Sequence, residues 1–353
     1  MSILLLSVAS TTIAYTKEIK SATIKSENIV VFGDSLSDAG YQDILPNNYP
    51  DWPNMPTKQD PKQPTFTSPV PGNTVWPQYL VADYDFKAAI LPNNQNTPPQ
   101  NVLSVDGKMV GNDYAAGGAT TTCTGIGLSK DNVNYYTPPP IGPLREGQSC
   151  NDKNIENYNE IDNYLSQHNN KADPNDIYII FGGANNAFRD MNADAMKSAA
   201  SDIVFDADYL VSKGAIAKNI YIVNLPNLGL TPLATGTGTA DAMTVFSNTF
   251  NNMLNSLLDS KSYNLVDFNS FLNEIVKNKQ ITIGDHIYPF SNVTDGLCKS
   301  GQPNDPNALI CIPDLSKEGA STYLFEGNIH PTTYTHKVFA KYLKNVIDKT
   351  QVK

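Results

Sequence analysis

The sequence predicts an α/β fold, a three-layer α/β/α arrangement around a central, mostly parallel sheet. Short apolar runs recur at 28–32 (Asn-Ile-Val-Val-Phe), 177–181 (Ile-Tyr-Ile-Ile-Phe), 220–224 (Ile-Tyr-Ile-Val-Asn) and 265–268 (Leu-Val-Asp-Phe). Helix-period patterns lie among them at about 192–213, 240–259 and 269–278, with a last one at 332–349. The strand-like runs are continuously apolar rather than alternating, as expected of strands buried on both faces.

Taken in order, the run at 28–32 ends in Gly33-Asp34-Ser35, so a buried strand feeds a turn. The run at 177–181 repeats this with Gly182-Gly183, and the run at 220–224 ends at Leu225-Pro226. Stretches at about 41–75, 92–101 and 123–150 are rich in Pro and Asn and lack periodicity, and 285–320 reads as a further insertion. In such a sheet these insertions belong at the carboxyl edge of the strands or over the surface, where they shape the binding crevice. No repeat or linker divides the chain, so 26–351 is expected to be one domain.

The 353 residues are 40% hydrophobic, enough for a sizeable core, and a net charge of −10 with no basic stripe excludes nucleic acid as a partner. Ile3 to Ala9 is an apolar run of signal-peptide length, and Thr12-Ile13-Ala14 could precede a cleavage point, making 1–14 a candidate signal peptide. Met1-Ser2 lacks the usual basic residue, and a buried strand is the competing reading. Export is the expectation. In an exported chain, four cysteines point to two disulfides, and sequence neighbours pair as Cys123–Cys150 and Cys298–Cys311, one of three connectivities. No C-x-x-C pair or nearby histidine supports zinc, and no metal or organic cofactor is expected.

Ser35 stands directly after a buried strand, where open α/β sheets place their active sites. Gly-Asp-Ser could equally be a helix-capping turn, since Asp and Ser both cap well. The longer run Phe32-Gly33-Asp34-Ser35-Leu36-Ser37-Asp38-Ala39-Gly40 resembles the first block of the GDSL, or SGNH, hydrolase family. Asp113-Tyr114-Ala115-Ala116-Gly117-Gly118-Ala119-Thr120 resembles the second block, Gly183-Ala184-Asn185-Asn186 the third and His330-Pro331-Thr332-Thr333 the last, all in the family's order. The segment Phe66 to Leu80 also resembles the family's stretch between the first two blocks.

This resemblance implies a flavodoxin-like SGNH fold. It implies Ser35 as nucleophile, His330 as base, and an oxyanion hole from the Ser35 N–H, Gly118 (or Gly117) and the Asn185 side chain. Three convergent donors suit a tetrahedral oxyanion. Of the other histidines, His168 is expected to be solvated, His286 to lie in a surface loop, and His336 to pack or solvate within the last helix. One family feature is missing. The family has Asp three residues before the histidine, where this chain has Gly327. Glu326 could reach round to the ring with its longer side chain, or the Gly327 backbone carbonyl could accept the Nδ1 proton. An inactive form is the third option. Glu326 is one residue out of phase in an extended segment, which favours the carbonyl.

The resemblance is closest to bacterial secreted phospholipases A and lysophospholipases A and to glycerophospholipid–cholesterol acyltransferases. It implies a phospholipid or lysophospholipid substrate, cholesterol as an optional acyl acceptor, and transient contact with a membrane surface. A monomer is expected. Tyr41, Trp52, Met55, Phe66, Trp76, Tyr135 and Tyr136 could line an acyl groove or simply pack the insertions down. Two alternatives stand beside this reading: an esterase of carbohydrate or small esters, and a non-enzymatic adhesin or toxin module on the same fold.

Overall fold

The computed structural model describes residues 28–39, 74–84, 111–123, 138–149, 159–190, 192–297 and 314–351. The candidate signal peptide, much of the insertions, and Cys150, Cys298 and Cys311 lie outside the described residues. A four-stranded parallel sheet forms the centre, in the order β1 (Ile29–Gly33), β2 (Ile177–Phe181), β3 (Ile220–Val223), β4 (Asn264–Val266). Its register sets Ile29 opposite Ile177 and Gly33 opposite Phe181. Each of the four apolar runs became one of these strands, with ends within two residues of expectation.

Every residue of β1, β2 and β3 is buried, and the pleat divides their side chains between two cores. Val31, Ile179, Phe181 and Val223 join one core with α1 (Trp76–Asp83). The helices α7 (Phe268–Asn278) and α8 (Thr333–Gln351) complete that side. Phe32, Tyr178, Ile180 and Ile222 face the other core, built with α2 (Glu160–Gln167), α4 (Ala193–Ser212) and α6 (Ala240–Leu258). Coverage on both faces is why the strands read as unbroken apolar runs. The architecture is the three-layer α/β/α fold of the sequence prediction.

A short segment around Asp113 lies beside β1 on the side away from β2, forming a parallel bridge to Val31. Val31 N–H donates to the Asn112 carbonyl at 3.0 Å, and Tyr114 N–H to the Val31 carbonyl at 2.9 Å. After β1 the chain therefore visits one side of that strand and then the other, so the end of β1 is a topological switch point. Open α/β sheets bind ligands at such points.

Two sequence expectations need correction. Periodicity missed α1, α2, α3 (Ala184–Asp190) and α5 (Pro232–Thr237), which run only six to eight residues, too short to establish a helical period. The stretch at 285–320, expected as loop, contains two strands. β5 (Gln280–Ile283) and β6 (His286–Pro289) form an antiparallel hairpin, while β7 (Asn292–Gly296) pairs in parallel with β8 (Tyr323–Phe325). His286 accordingly sits on strand β6, exposed, rather than in a loop. The hairpin turns at Gly284-Asp285, and its strands are only four residues each.

Candidate active site

At the end of β1 the chain turns sharply over Ser35. The Ser37 and Asp38 N–H groups donate to the Asp34 carbonyl at 2.9 and 3.1 Å, and Asp34 Oδ1 accepts the Leu36 N–H at 3.1 Å. Gly33 is required here because a Cβ would collide with the Phe181 carbonyl of the neighbouring strand. The turn leaves Ser35 half-buried at the rim of the sheet. Its Oγ lies 2.8 Å from His330 Nε2, across 295 residues of sequence. That is hydrogen-bonding distance for a nucleophile and its base.

The segment 111–121 is fastened to both neighbours. Asp113 accepts the Ala39 N–H at 3.0 Å, and Asp38 Oδ2 accepts the Gly117 N–H at 2.8 Å. On the other side, Asn185 Nδ2 donates to the Ala119 carbonyl at 2.8 Å. Asn186 pairs with both the N–H and the hydroxyl of Thr121, at 3.1 Å each. Gly118 therefore stands between a residue tied to the nucleophile turn and one tied to Asn185. It has φ +85°, a conformation natural to glycine. The Gly117 N–H is already committed to Asp38, so of the two sequence candidates Gly118 has the amide suited to an oxyanion. Asn185 uses one amide proton on Ala119 and retains a second, and its half-exposed side chain follows directly from β2 through Gly182-Gly183.

Behind this loop, Asp202 of α4 accepts from Arg145 Nε at 2.5 Å, Gln148 Nε2 at 2.8 Å and Thr121 Oγ1 at 2.9 Å. The stretch after Thr121 is thereby fixed to the helix layer. Cys123 is disulfide-bonded, and its sulfur lies 3.9 Å from the Ser149 carbonyl, next in sequence to Cys150.

His330 is buried at the mouth of a closed loop. The Glu326 N–H donates to the His330 carbonyl at 2.9 Å, and Phe325 bridges Pro331 in antiparallel fashion. Thr332 then caps the first turn of α8, its hydroxyl accepting the Thr335 N–H at 3.2 Å. Of the two residues considered for the third position, Glu326 is completely buried, and burial raises its carboxyl well above the usual range. Gly327 packs its carbonyl against Gly296 of β7, where an added Cβ would come within 2.7 Å of the oxygen.

His336, expected to pack or solvate, packs. Its Nδ1 accepts the Trp76 N–H at 3.3 Å, and burial followed by the nearby His330 depresses its pKa to about 3. His168 is exposed, with its ring 4.3 Å from that of Tyr164.

The site also uses carboxyl groups to which the sequence assigned no role. Asp38 and Asp113 sit inside the motifs already quoted, so their positions were legible though their task was not. Glu160 carried no local signal. It is fully buried at the start of α2 and accepts the Gly33 N–H at 2.8 Å. Burial raises Asp34 to about 7 and takes Asp113 and Glu160 well above the carboxylate range.

The family model described as GDSL-like lipase/acylhydrolase matches residues 29–343. The proteins named esterase EstA from Pseudomonas aeruginosa and from Pseudomonas putida are each 26% identical over 336 residues, covering 90% of this chain and 46% of theirs. A Pseudomonas putida protein described as uncharacterized, from the trpE-trpG intergenic region, is 26% identical over 337 residues, covering 90% of this chain and 48% of its own length. The chain thus spans about half the length of the curated relatives it matches.

Proposed function

The chain belongs to the GDSL-like lipase/acylhydrolase family, and from that premise we propose that it is an exported lipolytic serine hydrolase acting as a phospholipase A or lysophospholipase A. The observation that carries the chemistry is the 2.8 Å contact between Ser35 Oγ and His330 Nε2 at the switch point of the sheet. In the proposed reaction, His330 takes the Ser35 proton as Oγ attacks the ester carbonyl. The N–H groups of Ser35 and Gly118 and the free amide proton of Asn185 hold the tetrahedral oxyanion. His330 then protonates the leaving alcohol, and the acyl-Ser35 ester passes to water or to an acceptor hydroxyl such as that of cholesterol.

We assign the third position to the Gly327 carbonyl, which would orient the His330 ring without a formal charge. Glu326 is one residue out of phase with position 327 in an extended segment, whereas a backbone carbonyl at glycine can approach the ring closely. Glu326→Gln should cost less than about tenfold in kcat, and a loss of several orders would overturn the assignment. Export is supported by the apolar run at 3–9 and the even cysteine count, with Cys123–Cys150 and Cys298–Cys311 as the proposed pairs. The proposed protein is a monomer that touches lipid surfaces transiently. Among the described residues no helix is long and apolar enough to cross a membrane.

A second reading, esterase of small or carbohydrate esters, draws support from the relatives named esterases. Release of fatty acid from phosphatidylcholine, its lyso form and monoacylglycerol, with and without cholesterol, separates these readings when run beside acetylated sugars and short p-nitrophenyl esters. Ser35→Ala is the control. Turnover confined to the short esters would sink the phospholipase proposal. Failure of a fluorophosphonate to label Ser35 would favour a non-enzymatic module instead.

A further inference from the structure

We propose that Glu160 is a positioning residue of this hydrolase site, its carboxyl group holding the Gly33 end of β1, two residues before the nucleophile, against the oxyanion loop. Glu160 lies in the first turn of α2, whose start is tied through Pro140 and Ile141 to Thr120 of the segment carrying Gly118. Asn159 caps the helix by accepting the Asp162 N–H at 2.8 Å, and the Glu160 N–H donates to the Pro140 carbonyl at 3.0 Å. From this anchored position Oε2 accepts the Gly33 N–H at 2.8 Å, while Oε1 is buried without a partner among the described residues. The Ala116 N–H, which itself donates to the Gly33 carbonyl at 3.1 Å, also bears on the carboxyl. One side chain thus meets the last residue of the nucleophile strand and the loop that carries Gly118.

The other buried positions of α2 are Ile161, Asn163, Tyr164 and Leu165, and an apolar residue at 160 would bury the same face but leave the Gly33 N–H without this acceptor. A buried carboxyl without a cation is costly unless it remains neutral. The charged groups facing Glu160 are the carboxyls of Asp34 on the nucleophile turn and Asp113 on the oxyanion loop, with Asp38 next to both. Among the described residues no cation bears on it. Burial raises Glu160 well above its usual range, so it works as a neutral acid whose oxygen accepts the Gly33 N–H. Ionisation on the alkaline side adds a negative charge among three acids beneath Ser35. The turn then shifts, and turnover falls.

The proposal rests on the Ser35–His330 reading of the site, and the test keeps the two apart. It measures kcat and KM across the acid-to-alkaline range, together with melting temperature, for the wild type, Ser35→Ala, Glu160→Gln and Glu160→Ala. Glutamine keeps the shape and an acceptor oxygen but cannot ionise. Glu160→Ala is expected to lower kcat about 10–100-fold with KM within about twofold, the usual cost of a small misplacement of reacting groups. Glu160→Gln is expected to recover kcat to within about threefold of wild type and to lose the alkaline decline. If Ser35→Ala hydrolyses as fast as the wild type, the nucleophile assignment falls and this proposal falls with it. If Ser35→Ala is inactive, three results overturn the Glu160 proposal alone: full kcat in a folded Glu160→Ala, a folded Glu160→Gln no better than alanine, or an alkaline limb unmoved by glutamine. Should the alanine variant fail to fold, the pH profile of Glu160→Gln decides.

Discussion

The turn carrying Ser35 is held by hydrogen bonds from backbone amides to buried acids. Asp34 accepts the Leu36 N–H, Asp38 that of Gly117, Asp113 that of Ala39 and Glu160 that of Gly33. The segment carrying His330 leads into α8, which rests largely on apolar packing. Phe339 of α8 lies 4.4 Å from Phe268 and 5.8 Å from Trp76, ring centre to ring centre, and His336 accepts the Trp76 N–H one turn earlier. The difference follows from what each side must do. Oxyanion donors act through direction, so their amides need directional restraint, and hydrogen bonds supply it. A base needs its ring brought to one place and kept dry, which dense packing accomplishes.

Removing either member of the central pair should erase this contrast. Ser35→Ala and His330→Ala are each expected to lower kcat by about 10⁵–10⁶, and the double variant should be little worse than either single one. Additive losses would mean that the two residues do not act as a unit. On the hydrogen-bonded side, Asn185→Ala should cost about 10²–10³ in kcat with KM little changed and melting temperature nearly intact. A loss confined to KM would remove Asn185 from the oxyanion hole.

On the packed side the damage should move from rate to stability. Phe339→Ala opens a hole among Phe181, Phe268, Phe271 and Trp76 and should destabilise the fold by about 3–5 kcal/mol. The kcat of the molecules that remain folded should fall far less. Denaturant unfolding together with active-site titration would check this, and a large fall in kcat at unchanged stability would contradict the contrast.

The smallest expected effect is a pH dependence of opposite sign on the two sides. Asp34 is raised from 3.8 to about 7, so between those values the folded chain holds more protons than the unfolded one, and this group's contribution to stability falls as pH rises. His336 is lowered from 6.5 to about 3, so in that window the unfolded chain holds more protons, and its contribution falls as pH drops. Asp34→Asn should therefore flatten the melting-temperature curve on its rising-pH side and His336→Gln on its falling-pH side. Identical curves for both variants and the wild type would refute the assignment.

Much of this site was legible because its parts are local. Each motif couples a strand end to a glycine or a cap, and neighbouring residues alone specify such turns. Ser35, Gly118, Asn185 and His330 could be singled out because four short segments resemble the family's blocks in the family's order, and four apolar runs located the sheet. The short helices, of six to eight residues, and the two small strand pairs, of three to five, were not legible, because such lengths are too short for a period to be counted. The sequence ranked Gly118 ahead of Gly117 only by resemblance. That the Gly117 N–H is taken up by Asp38, 79 residues away, is a long-range contact.

The sequence by itself therefore determined the fold class, through local periodicity, and the order of the blocks whose family resemblance singles out Ser35 and His330. Only the tertiary structure decided which amides remain available, that His336 is buried and neutral, and that Glu160 reaches Gly33. These depend on contacts between residues far apart in the chain, and on burial, which sets the protonation state of an acid or a histidine and cannot be read from its neighbours in sequence.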